Sequence, residues 1–560
     1  MIYCRIDSLD PNNHELDISI VFKSELKSID LFLPKWRPGR YEASDFAVNL
    51  KNLKIFDSKG EEIPYIQIQS NGWRLSLGNS NEFTVQYTFY ANKMDAGNSV
   101  VNDEQLYINF VNCILYAQEL IDKPINLSLN IPNNYKVECA LKRNKKGDLL
   151  AENYHELVDS PLLASAKLNI LEYTISKTNF KIIFMGKHPL KNKDILDDFR
   201  KFTQKQCDVM GGFPCSEYLF FIQSLDYKHY HGVEHKRSTV LVLGPNTEAF
   251  KDDYYEKLMG VASHELFHSW NVTRIRPAEM SPYNYKDEIN FDTGFVAEGF
   301  TTYYGDHFLI TSDTYTTEQY LKELNTLCNR HFSNFGRFRI SLIETSKRLW
   351  LDGYKNIFPS NKVSIYVKGA LSSLILDLNI RKATNHQSSL IDVVKTMYNQ
   401  YTFEHGGYSS KQVFQLLKEL GGTHVDSLAQ SLIEGSSDIE PLLIQALDFV
   451  GFKLVLEPHK DKLAAHTGII AKENIIVDLH PDCPYRNLSI GDEIIGLNKK
   501  NLDVSQAPKT GDLLEVKHSQ NLLKIEILIT ERIYLHNYSI GIDERCNADQ
   551  TKFREEWLSN

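Results

Sequence analysis

The chain has 560 residues, 42% of them apolar and 24% charged, with a formal net charge of −10. Such a length and apolar content suit a globular protein of two to four domains and exclude disorder and collagen-like architecture. The 72 acidic against 62 basic side chains argue against nucleic acid or an anionic membrane as the main partner.

Residues 1–10 show no basic start followed by an apolar core, so no secretory signal is expected and a cytoplasmic location follows. The most apolar window, 370–380, contains Asp377 and Asn379. It falls short of the roughly 20 uninterrupted apolar residues of a spanning helix, so no transmembrane segment is expected. Eight cysteines without a CxxC pair read as reduced thiols.

In chain order, Leu16, Ile18, Ile20 and Phe22, then Phe83, Val85, Tyr87 and Phe89, then Ile125, Leu127, Leu129 and Ile131 alternate with period two. With turn clusters such as Pro132-Asn133-Asn134 between them, these runs predict an N-terminal antiparallel β-sandwich-like domain over 1–185. Spacing then becomes helical, as at Tyr320, Leu324 and Leu327 or Val413, Leu416, Leu417 and Leu420. A mainly helical domain is expected over 186–448, with a small sheet from 219–222 and 239–243 in its first part. Alternation returns at 475–478, 493–497 and 523–529, predicting a compact β module within 449–560. The fold class expected is multidomain α+β.

The sharpest signal is His264-Glu265-Leu266-Phe267-His268, an HExxH string within a helical run over 252–270. Four residues along a helix turn slightly more than once, so both imidazoles project from one face toward a single metal. Catalytic zinc takes three nitrogen or oxygen ligands and keeps a position for water, whose acidity it raises. Glu265, beside the clamp, is suited to act as general base.

The helical stretch 294–303, with Asp292 or Thr293 as N-cap, offers Glu298 as third ligand, because metal coordination gives a glutamate among apolar neighbours a reason to be buried. The metzincin alternative needs Gly at 271 and His at 274, where this chain has Asn271 and Arg274. Arg274 and Arg276 can clamp a substrate or hydrogen-bond the turn that Pro277 marks, the second being the preferred reading.

Gly232-Val233-Glu234-His235, the zinc-helix string extended to Asn271, Arg274-Ile275-Arg276-Pro277, Glu298-Gly299-Phe300 and Tyr366-Val367-Lys368-Gly369-Ala370 are similar to motifs of one family. Together they resemble the glycyl aminopeptidase family of gluzincin metallopeptidases, PDZ-bearing relatives of aminopeptidase N. Pro34-Lys35-Trp36-Arg37-Pro38-Gly39-Arg40-Tyr41 and Leu488-Ser489-Ile490-Gly491-Asp492-Glu493-Ile494 extend the likeness over most of the chain. The resemblance implies a thermolysin-like catalytic domain with one Zn2+ per chain held by His264, His268 and Glu298, and Glu265 as base. It implies Tyr366 as oxyanion donor, and Gly232 and Glu234 in a substrate-binding motif that departs from the wider Gly-x-Met-Glu-Asn pattern at Val233 and His235.

It further implies removal of Gly or Ala from peptides with a free N-terminus. A zinc endopeptidase and a non-enzymatic PDZ-type binding protein with a relic cleft remain alternatives. In the last module, Leu488 to Asn498 has the look of a PDZ strand, but 504–511 is too short and Pro-interrupted for a groove-walling helix.

Overall fold

The computed structural model describes residues 1–249, 251–355 and 359–559. The chain divides into two compact units, Met1–Asn290 with Tyr401–Gly407, and Phe291–Gln400 with Tyr408–Asn560. The architecture is multidomain α+β, with N-terminal sheets and a helical region. Among the described residues, no helix is long and apolar enough to cross a membrane.

The first unit opens on a seven-stranded sheet containing all three alternating runs, as Glu15–Lys23, Glu82–Tyr90 and Ile125–Asn130. Their inward residues, Ile18, Val85 and Leu127 among them, are buried as the alternation requires. One pairing departs from the antiparallel expectation: Ile2–Asp7 runs parallel to Ile125–Asn130. More than a hundred residues separate the two strands in sequence, ample for the crossover that parallel pairing needs.

A second, five-stranded sheet places Glu217–Ser224 and Ser238–Gly244 side by side and in parallel, where the apolar runs were expected. Leu168–Ile175 and Thr178–Met185 extend it on one side, and His229–Glu234 forms the opposite edge, antiparallel to Ser238–Gly244. One sheet face packs through Ile183, Phe221 and Val240 against Tyr107 and Leu163 of the N-terminal strands. Strands buried on both faces read as continuous apolar runs, which explains 219–222 and 239–243. The helix Asp252–Phe267 follows directly.

The second unit is built around Val367–Thr384, a helix buried on nearly every side. Its Asp377, fully buried, accepts hydrogen bonds from Tyr303 Oη at 2.8 Å, Arg381 Nε at 2.9 Å and the Leu390 backbone N–H at 2.8 Å. Those donors outweigh the burial that would otherwise raise its pKa, so the carboxyl is held below its ordinary value. Periodicity at 320–327 and 413–420 corresponds to Thr317–Phe332 and Ser410–Ile433. A five-stranded antiparallel sheet over Ile469–Lys472, Ile475–Leu479, Glu493–Leu497, Leu513–His518 and Asn521–Glu526 follows. The C-terminal helix Ala548–Ser559 docks by Trp557, whose Nε1 donates to Tyr303 Oη at 3.0 Å.

Candidate active site

In the first unit, His264 and His268 share one face at the end of Asp252–Phe267, one turn apart as the spacing dictates. Their Nε2 atoms approach to 3.1 Å. Beyond the last helical turn the chain folds back, and the Asn271 carbonyl lies 2.6 Å from His268 Nδ1. A carbonyl only accepts, so Nδ1 carries the proton and the Nε2 lone pair faces His264. A backbone acceptor behind the ring is how metal-binding histidines are commonly oriented. Two nitrogens bound tetrahedrally at 2.0 to 2.1 Å from one zinc would stand about 3.3 Å apart, close to the spacing here. The donor set therefore fits the ion.

Glu265 is 5% exposed and Glu234 6%. Ligand atoms of Glu234, Glu265 and His268 all lie within 4.8 Å of one another. Two carboxylates at that separation, both withdrawn from water, repel each other unless a cation joins them.

Glycine makes this convergence possible. A β-carbon on Gly232 would lie 2.2 Å from Glu265 Oε1 and 2.7 Å from its Cγ, so the edge strand His229–Glu234 meets the helix only because 232 has no side chain. Two histidines and a glycine hide the alternation of this strand in the sequence. On the same strand His231 contacts Arg37, 3.4 Å from its guanidinium, and burial reinforced by that cation pushes the imidazole down to about 3.

In the second unit, Glu298 is 2% exposed. It lies in a π-helical turn, Phe295–Phe300, that leads straight into the helix Thr301–Thr311. Gly294 occupies the N-cap, with no side-chain cap bond, in place of the expected Asp292 or Thr293. Asp292 instead accepts from Ser410 Oγ at 3.2 Å. Such π-turns re-aim side chains and recur at functional sites. Tyr366, half-buried, stands at the N-cap of Val367–Thr384. The two elements cross at Gly299 and Gly369, where a β-carbon on Gly299 would lie 2.6 Å from Gly369 Cα.

Arg274 is buried in the turn after the helix Asp252–Phe267, donating to the Ser269 carbonyl and, at 2.9 Å, to Cys215 Sγ. Arg276 donates to the Thr273 carbonyl at 3.0 Å. Both thus hydrogen-bond the turn.

Residues 4–166 match the family model described as the Peptidase M61 N-terminal domain, and residues 257–372 that of the M61 glycyl aminopeptidase. Comparison with curated protein sequences gives no match. Among solved structures, the chain is similar to the aminopeptidase N family protein from Idiomarina loihiensis, over 100% of both chains, with 23% identity and a TM-score of 0.88. At that identity the likeness is one of fold. An M1 zinc metallopeptidase from Deinococcus radiodurans aligns over 78% of this chain and 94% of its own, at 13% identity and a TM-score of 0.49. Native yeast LTA4 hydrolase aligns over 80% of this chain and 70% of its own, at 12% identity and a TM-score of 0.49.

Proposed function

Both matched segments belong to the M61 peptidase family, and from that premise we propose a zinc aminopeptidase that removes N-terminal residues, small ones such as Gly and Ala, from peptides. The observation that carries this reading is the 3.1 Å approach of the His264 and His268 Nε2 atoms beside two buried carboxylates.

In this reading His264, His268 and Glu298 hold one zinc ion per chain, which makes the protein a gluzincin. Bound zinc supplies Lewis-acid polarisation of the scissile carbonyl and acidity to a water. Glu265 takes a proton from the attacking water and returns it to the leaving amine. Glu234 pairs with the substrate's α-ammonium, a cation that offsets its own repulsion with Glu265. Gly232 belongs to an edge strand, along which an extended peptide can add main-chain hydrogen bonds. Tyr366 donates its phenolic O–H as negative charge develops on the carbonyl oxygen.

The test is hydrolysis of glycine p-nitroanilide and its N-acetyl form. The reading expects EDTA-sensitive cleavage of the first and loss of cleavage on acetylation. Equal cleavage of both would instead favour an endopeptidase, and cleavage of neither by zinc-loaded protein a binding role.

We also propose three domains: the β-sandwich-like 1–185, the thermolysin-like 186–448 and 449–560 with a PDZ-like module. Support for the last comes from the five antiparallel strands of the C-terminal sheet, with Glu493–Leu497 at their centre. Residues 504–511 carry no helix, which favours a packing or gating role over capture of peptide ends.

A further inference from the structure

Immediately after Glu234, residues His235, Lys236 and Arg237 turn into the wall of a cavity of about 280 Å³ in the first unit. Four permanent cations line it: Arg37, Lys236, Arg237 and Arg276. Two of them have acidic company. Arg237 lies 3.9 Å from Glu156, and Arg37 helps hold the Asp95 carboxyl below its ordinary value against the burial that raises it.

Lys236 and Arg276 differ, since among the described residues neither forms an ion pair with a carboxylate. Both sit over the ring of Phe403, the ammonium 4.9 Å and the guanidinium 4.8 Å from its centre, and Arg276 also lies 3.8 Å from the Tyr283 ring. Aromatic faces hold such cations in place without neutralising them.

Two buried nitrogens on the lining find no hydrogen-bond partner: Arg276 Nε and His235 Nε2. The His235 side chain is more than nine-tenths buried, at 7% exposed, and its Nδ1 is engaged by Asp159 Oδ1 at 3.2 Å. Native proteins rarely leave such groups unsatisfied, and each one calls for a partner. Arg276 Nε–H can only donate, so its partner must be an acceptor, and two unneutralised cations favour a negative one.

We propose that this cavity binds a small organic anion, a carboxylate or phosphate group carried on a compact, partly apolar body. The head group accepts from Arg276 Nε–H and faces Lys236, while His235, its Nδ1 engaged by Asp159, presents Nε2 to the same cavity. The body packs on Tyr283, Tyr285 and Phe403. A volume just under the roughly 300–1,000 Å³ of drug-sized ligand pockets suits a metabolite-sized acid rather than a peptide segment. Hydrolysis of peptides does not require this site, so it stands independently of the peptidase reading.

Isothermal titration calorimetry on the full-length, zinc-loaded protein tests it with benzoate, phenyl phosphate and uncharged benzamide. Benzoate or phenyl phosphate is expected to bind saturably, at least about tenfold more tightly than benzamide. The tighter of the two identifies the head group. Lys236→Met and Arg276→Gln are each expected to weaken that binding by about tenfold or more. Lys236→Met serves as the decisive variant should the loss of the Arg276 stack disturb folding. Equal affinity for benzamide, unchanged affinity in Lys236→Met, as capture of the head group elsewhere would give, or no saturable binding of either anion by the wild type overturns the proposal.

Discussion

Gly39 lies directly against Glu234: at φ +78°, its bare Cα comes so near that a β-carbon would sit 2.5 Å from Glu234 Oε2. The loop 34–41, remote in sequence from the edge strand, thereby backs the carboxylate proposed to hold the substrate's ammonium. Gly39→Ala forces that carboxylate to move and strains a left-handed backbone position, at a cost of about 1 kcal/mol. Steady-state kinetics on glycyl anilide should show KM rising several-fold with kcat less affected. An unaltered KM in a folded variant would detach Glu234 from ammonium binding.

Glu265→Gln keeps the volume beside Gly232 and removes the carboxylate proposed as base. Zinc content should stay at the wild-type level while kcat falls by about 10²- to 10⁴-fold. Full turnover in this variant would exclude Glu265 as the proton carrier.

Where Gly299 crosses Gly369, backbone meets backbone, and neither side can yield as a flexible side chain would. Gly299→Ala should therefore lower unfolding stability by about 1–3 kcal/mol, measured by denaturant titration. Because Glu298 precedes this crossing and Tyr366 heads the partner helix, activity should fall with it. Wild-type stability would mean that the two elements pack less closely than described.

Lys368 is fully buried, with Nζ donating to the Gly435 carbonyl at 3.2 Å. Burial, only partly countered by Asp438 and Glu344, pushes its pKa down from 10.5 to about 8. Between those values the unfolded chain binds more protons than the folded one, so stability rises with pH across the window. Below about 8 both states are protonated and the burial penalty is felt in full. Lys368→Met should flatten the rise in unfolding free energy between pH 8 and 10.5; an equally steep rise would assign it to another group.

Much of the fold is legible in the sequence because burial leaves a period: Leu16–Phe22 and Phe83–Phe89 alternate, and Val413–Leu420 repeats at helical spacing. The approach of His264 to His268 is legible for the same reason, since HExxH is a helical spacing written in imidazoles. What the sequence hides depends on contacts between distant segments. Nothing local marks Ile2–Asp7 as the parallel partner of Ile125–Asn130, or the Asn271 carbonyl as the group orienting His268. Nothing local marks Gly39 or Gly232 as the glycines that make room for Glu234 and Glu265. The π-turn bearing Glu298 escapes notice because its six residues carry the same apolar pattern as an α-helical turn.

Metal analysis of protein purified without chelators tests the central claim most directly. About one zinc per chain is expected in the wild type and in Glu265→Gln, with loss of the ion in His264→Ala, His268→Ala and Glu298→Ala. A wild-type protein that folds and cleaves glycyl anilide with no bound metal, or Glu298→Ala retaining zinc at full occupancy and affinity, would contradict it.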